Sequence, residues 1–316
     1  MLISGVLAAL YGGLILVYRY WFKALKPFQL SKDLKPTIFF SIIIPARNES
    51  ANIENCIQSI LAQPYPLYEI IVVDDYSTDD TPLLVAQLAK QYPQIKLIQL
   101  NNFLDGQATN SFKKKAIEIA VENSKGSWIV TTDADCLVPT NWLYYFNAMI
   151  LTRNPVFIAA PVMFTQNGRF SGIFQVLDFL SLQGITAAAV SSGSHSMCKG
   201  ANLAYSRQAF EAVDKFKGID HLASGDDMLL MHKMKKQFPN QLAYLFSKEM
   251  IVTTSPMPDW NSFIQQRIRW ASKADSYNDP KIFGVLLLVY LFNLILLFGL
   301  LVGVLQIEIL YWTSLV

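Results

Sequence analysis

Histidine and cysteine are scarce in this chain, which has 316 residues and three of each. The cysteines, Cys56, Cys136 and Cys198, are odd in number and lack metal-type spacing, which excludes a disulfide scaffold and a zinc cluster. Charge is also short: Asp, Glu, Lys and Arg make up 16% of the residues, against about 25% in an ordinary soluble domain. The net charge is only +2. General nucleic-acid binding needs a strongly basic face, so no nucleic-acid partner is expected. Internal repeats and low-complexity runs are missing too. What takes their place is apolar: 52% of the chain is hydrophobic, which argues against a purely soluble protein.

The apolar residues gather at the two ends. Residues 1–18 carry no charge, and Arg19, Lys23, Lys26, Lys32 and Lys35 follow. Such a run just crosses a hydrocarbon core of about 30 Å, with Tyr18, Tyr20 and Trp21 at the interface. A signal peptide would carry its positive charge before the apolar run, so residues 1–22 read as a transmembrane anchor with a cytoplasmic basic flank. Residues 282–306 are again uncharged and form a second transmembrane helix, with Gly299 and Gly303 spaced for close helix contact. Residues 307–316 read as the start of a further span in a longer protein; one long tilted helix with an aromatic tail is the alternative. Between the spans, residues 27–258 form a cytoplasmic domain. Residues 259–281 follow as an amphipathic interface helix, with Trp260, Ile264, Ile268 and Ala271 on one face and Arg267 able to meet lipid phosphates. The expected location is the inner membrane, multi-pass.

Within the domain, Phe39–Ile44, Ile70–Val73, Ile95–Leu100 and Trp128–Thr132 are near-continuous apolar runs, the signature of buried strands. Ile53, Ile57, Ile60 and Leu61 recur at helical spacing between the first two, and Ile117, Ala120 and Val121 before the fourth. This alternation predicts an α/β fold, a mainly parallel Rossmann-like sheet covered by helices, with ligands beyond the carboxyl ends of the strands. Those ends are acidic. Strand one runs into Pro45-Ala46-Arg47-Asn48-Glu49, strand two into Asp74-Asp75, and strand four into Asp133-Ala134-Asp135. A single Asp pair at a strand end usually starts a turn or caps a helix. Three acidic ends on one rim repel one another unless a cation sits among them. Without Cys and His at these positions, Mg²⁺ or Mn²⁺ fits better than zinc, and such an ion bridges carboxylates to a substrate diphosphate.

The ordered set SIIIPARNES, IIVVDDYSTDDT, TTDADC, SGDDMLL and QQRIRW resembles the membrane-associated family-2 glycosyltransferases of GT-A fold, the group of cellulose, hyaluronan and poly-N-acetylglucosamine synthases. The resemblance covers residues 38–275, and the flanking transmembrane helices fit the same group. It implies that Pro45, Arg47, Asn48, Glu49 and Asp75 line the nucleotide pocket, with Asp75 accepting from uracil, and that Lys113 approaches the nucleotide. Asp133 and Asp135 match the D-x-D pair, with Asp135 the more direct metal ligand. Asp227 matches the general base, while Asp226 stands where the family has Glu. Gln266, Arg269 and Trp270 match Q-x-x-R-W, where Arg steadies the leaving diphosphate and Trp lines the acceptor end. Cys198, Gly200 and Asn202 fall where the family shapes the acceptor subsite. Phe112 replaces the family's glycine before Lys113. The Lys113–Lys115 run is otherwise the usual pattern of a solvated helix face. His195 reads as a loop or acceptor-side residue, and His221 and His232 have no assigned role.

The chemistry implied is an inverting transfer of a sugar from a nucleotide-diphosphate donor, by resemblance a UDP-sugar, to a lipid or glycan at the membrane face. A sugar hydroxyl is a poor nucleophile, so a carboxylate must take its proton. Asp227 starts the helical stretch Met228–Lys236, where helix-end charge lowers its pKa and the neighbouring Asp226 raises it. The alternatives are a processive polysaccharide synthase subunit and a catalytically silent membrane scaffold of a glycan-export complex. Either could work with other membrane subunits.

Overall fold

The computed structural model describes residues 2–31, 34–104, 111–166, 168–194, 197–222, 224–272 and 280–313. His195 and residues 273–279 of the expected interface helix lie outside the described residues. After helix α1 (Leu2–Ala24), β1 (Phe40–Ala46), β2 (Tyr68–Asp74), β3 (Ile95–Gln99) and β4 (Trp128–Thr131) alternate with α2 (Ile53–Leu61), α3 (Thr81–Gln91), the short α4 (Asn101–Leu104) and α5 (Phe112–Glu122). There follow β5 (Cys136–Leu137), α6 (Trp142–Arg153), β6 (Phe157–Ala159), β7 (Val162–Phe164), α7 (Phe170–Ser191), β8 (Leu203–Ser206), α8 (Arg207–Ala212) and α9 (Met228–Gln237). The last elements are β9 (Leu242–Tyr244), β10 (Val252–Thr254), α10 (Trp260–Ala271) and α11 (Pro280–Thr313).

Seven strands form one sheet in the order β3-β2-β1-β4-β8-β6-β9, and β5-β10-β7 form a small second sheet. β1 to β4 run parallel, while β8 is antiparallel to both β4 and β6. Successive strand residues point to opposite faces, and the four apolar runs feed both. Ile42, Ile44, Ile70, Val72 and Val130 pack in a core with α2, α3 and α6. Ile43, Ile71, Val73 and Ile129 pack in a second core with α5, α8 and α9. Burial on both faces is why these runs do not alternate with polar residues. β1 continues two residues beyond the expected strand, through Pro45 to Ala46. Proline is tolerated there because β4 pairs only Phe40–Ile43 of β1, so the missing N–H falls beyond that ladder.

Among the described residues, three helices are long and apolar enough to cross a membrane: α1, the Lys281–Val304 part of α11, and α7. The third escapes a reading by uncharged runs because Gln175, Asp178 and Gln183 interrupt it. Those polar residues face the domain. Gln175 exchanges two hydrogen bonds with the Met257 backbone, 3.0 and 2.9 Å, Gln183 accepts from Val162 N, and Asp178 pairs with Arg267. A crossing helix would leave its ends on opposite sides of a bilayer. Yet β7 before α7 and β8 after it both belong to the same domain, so α7 stays with the domain. Tyr18 of α1 packs on Ala188 and Ala189 of α7, and Tyr11 stacks on Phe292 of α11 at 4.3 Å. α11 runs unbroken past Glu308 to Thr313.

Candidate functional site

Because β1, β2 and β4 are parallel, their carboxyl ends deliver the acidic segments to one rim. The loop after β1 is locked to the loop after β2. Asn48, with φ 56°, donates its N–H to Ser77 Oγ at 2.9 Å and accepts from Thr78 N at 2.8 Å. Asn tolerates this left-handed backbone better than most residues. Glu49 N and Ser50 N donate to Thr81 Oγ1 and Asp79, at 2.8 and 3.0 Å. Asp75 lies 3.9 Å from Arg47 and keeps one buried carboxyl oxygen, Oδ1, without a partner among the described residues. Burial raises its pKa, with Arg47 acting in the opposite direction. An orphaned buried acceptor beside an open loop suits a ligand N–H. Tyr76, with φ 53°, is exposed and meets Phe112 edge-on at 5.8 Å. Phe112 thus forms an aromatic pair where the resembled family has glycine.

The acids converge on Lys113. Its Nζ lies 2.7 Å from Asp133 Oδ1 and 3.3 Å from Asp226 Oδ2. Burial pulls its pKa down, but Asp133, Asp226 and Asp227 together hold it well above the ordinary lysine value. Asp227 caps α9: Oδ1 accepts from Met228 N at 2.7 Å and Oδ2 from Gly200 N at 3.1 Å. Gly200 sits against all three groups. A Cβ there would stand 3.3 Å from Asp226 Oδ2, 3.6 Å from Lys113 Nζ and 3.7 Å from Asp227 Cβ.

Asp135 is oriented by Thr254 Oγ1 at 2.9 Å, which the small sheet brings across by pairing Thr254 with Cys136. Burial, then the charge of Asp133, raises the Asp135 pKa. Candidate ligand atoms of Asp133, Asp135 and Cys136 lie within 4.8 Å of one another. Burial pushes the Cys136 thiol far up, so the carboxylates are the available donors. That donor set fits a hard divalent cation. Two-residue strands such as β5 carry little sequence signal, so the part played by Thr254 was not legible.

The acceptor-side residues divide. Trp270 is capped by Lys199 Nζ, 3.1 Å above its ring, and by Arg267 Cζ at 4.3 Å, and it packs beside Phe179. Gln266 is buried, and its Oε1 has no partner among the described residues. Arg269 is exposed and makes no ion pair with the acid cluster among the described residues. Asn202, expected to face an acceptor, is fully buried. It accepts from Trp142 Nε1 and donates to Pro161 O and Met250 O, so it cross-links the fold. Cys198 is likewise buried, in the second core. Short side chains beside a site glycine read as ligand contacts in a sequence; tertiary packing turned these two inward.

Residues 41–214, more than half of the chain, match the model of Glycosyl transferase family 2, and residues 128–316 match Glycosyl transferase family group 2. Glycosyltransferase AglE of Haloferax volcanii is 26% identical over 192 residues, 60% of this chain and 59% of that protein. The beta-monoglucosyldiacylglycerol synthase of a Nostoc species is 32% identical over 123 residues, 38% of this chain and 25% of that protein. The chain therefore spans less than two thirds of the length of these curated relatives. Among solved structures, mannosyltransferase PcManGT from Pyrobaculum calidifontis, in complex with GDP-Man and Mn²⁺, superposes with a TM-score of 0.61 at 20% identity. The match covers 89% of this chain and 77% of that one.

Proposed function

The chain belongs to glycosyl transferase family 2, and from that premise we propose that it transfers a sugar from a nucleotide-diphosphate donor to a lipid at the membrane surface, with inversion. The observation that carries this reading is the convergence of Asp133, Asp226 and Asp227 on Lys113, with Asp135 beside Asp133. Its fold is that of GT-A glycosyltransferases.

Asp75, with its orphaned oxygen, would accept a ring N–H of the base. Uracil is the base favoured by resemblance, and guanine offers a ring N–H as well. Arg47, Asn48 and Glu49 would wall the nucleotide. Asp133 and Asp135 would hold a divalent cation, Mg²⁺ or Mn²⁺, which when bound supplies positive charge beside the diphosphate. Lys113 keeps its own charge in the site and would pair with the diphosphate as negative charge grows on the leaving oxygen. Arg269, exposed on α10, would steady the same group. Asp227 would take the proton of the attacking hydroxyl. Its two N–H contacts aim the carboxylate, and Asp226 stays engaged with Lys113.

The lipid acceptor is favoured by the surface around Trp270. Phe170, Phe174, Leu177 and Leu180 of α7 are exposed beside Trp260, Ile264 and Ile268 of α10, and Phe174 meets Trp260 at 5.3 Å. Two adjoining helices thus present an apolar face, and the far end of α7 packs on α1. Such a face suits the bilayer interface. The related glucosyldiacylglycerol synthase acts on a lipid by its name. The positive residues after α1 support a cytoplasmic orientation of the domain.

The test uses membranes holding the full-length protein or its Asp135→Ala variant, Mn²⁺ and a panel of radiolabelled nucleotide sugars. Label dependent on Asp135 should partition into the organic phase. Label in a high-molecular-weight polymer would replace the lipid reading with a synthase; no transfer from any donor would leave a scaffold.

A further inference from the structure

α5 opens with three lysines, and adjacent helix residues point about 100° apart. Lys113 turns to the acid cluster, but its neighbour does something the reaction above does not use. Lys114 is only 2% exposed. A buried ammonium is costly unless its donors are satisfied. Its Nζ donates to three backbone carbonyls: Ile219 O at 2.8 Å, Leu222 O at 2.6 Å and Ser224 O at 2.9 Å. All three come from the segment that runs directly into Gly225, Asp226 and Asp227. Gly225 has φ +86°, a backbone state that L side chains rarely adopt, so the chain turns sharply between the clamped segment and the two acids.

We propose that Lys114 is a positioning residue for the catalytic base: it fixes the segment ending at Ser224, and through it the placing of Asp226 and Asp227 against Asp133. The proposal rests on reading Asp227 as the base. Its physical content is that α5 ties both halves of the reaction to one helix. Lys113 touches the donor-side Asp133 and, at Asp226, the base pair. One residue on, Lys114 holds the loop that carries that pair by its backbone. With charge and donors removed, the three carbonyls lose their common partner, and the two acids keep only side-chain anchors such as Asp226 to Lys113 and Asp227 to Gly200 N. The nucleotide loops after β1 and β2 make their own hydrogen bonds and do not depend on it.

The experiment compares full-length wild type, Lys114→Met, Lys114→Gln and Asp227→Asn in nanodiscs. It measures nucleotide Kd, kcat for transfer, and hydrogen exchange across the chain. Met keeps the volume without donors, and Gln restores part of the donor set should Met not fold. The expected result for Lys114→Met is a kcat lower by about 10- to 100-fold, the scale of a small misplacement of a reacting group. Nucleotide Kd should stay near wild type, and exchange should rise in 219–227 but not in β4, with Gln intermediate. Full kcat in both Lys114 variants, while Asp227→Asn is inactive, overturns the proposal and leaves the base assignment standing. So does a joint loss of nucleotide affinity, kcat and protection in β1 to β4, which marks a merely structural lysine. Retained transfer in Asp227→Asn overturns the base assignment itself.

Discussion

Gly200 shows how little room the acid cluster leaves at the scale of single residues. A methyl group there meets Asp226 Oδ2 at 3.3 Å, tighter than most real Cβ contacts, and sits between two acids and their lysine. Gly200→Ala should therefore lower kcat by about tenfold, through displaced reacting groups, with an unchanged melting temperature; assay and thermal scan check both. Asn202→Leu acts differently. It strands Trp142 Nε1 and Met250 O, while Pro161 O keeps its bond from Val252 N, and each buried orphan costs about 1–3 kcal/mol. The expected outcome is a lower denaturant midpoint, read by urea unfolding. Asp75 sets a pH dependence. Its ionised form is the acceptor, and burial raises its pKa, so nucleotide affinity should fall on acidification starting above the pH where an exposed Asp protonates. Arg47 opposes that rise. Arg47→Ala should shift the fall to higher pH, by a small amount because the guanidinium is largely exposed. Nucleotide titrations from pH 7 down to 4 test the direction.

Elements differ in how much of them the sequence exposes. β1, β2 and β4 were legible because burial on both faces writes continuous apolar runs, and the acids that end them were legible for the same reason. α10 was legible from Trp260, Ile264 and Ile268, which recur at helical spacing and are exposed. α7 was not. Its polar residues serve hydrogen bonds to β7, to the Met257 backbone and to α10, contacts that exist only after folding. The small sheet that orients Asp135 was illegible because its strands are two or three residues long. The placement of α7 has a direct consequence: Thr165 and Ser192, just outside its two ends, belong to the same side of the bilayer. Thr165→Cys and Ser192→Cys should react with a membrane-impermeant maleimide from one side only, and from the same side. The three native cysteines are buried and stay silent. Labelling from opposite sides would make α7 a third span.

For the whole molecule, the sheet, the long apolar helices and the apolar face of α7 and α10 lie at separate edges. The rim at the strand ends gathers the nucleotide loops and the acids. The helices beyond it bring Trp270, with Lys199 and Arg267 on its ring, toward the apolar surface. A donor held on the sheet rim and an acceptor drawn from lipid would meet between Asp133 and Asp227. On the proposed reading binding and chemistry are separable there: Asp75 and the loops would hold the nucleotide, and Asp227 would activate the acceptor. The measurement that tests it most directly is nucleotide affinity and sugar transfer in one preparation of full-length Asp227→Asn beside wild type, with Mn²⁺. Loss of a general base costs about 10²- to 10⁴-fold. The account predicts transfer reduced on that scale with nucleotide Kd near wild type; transfer at the wild-type rate would contradict it.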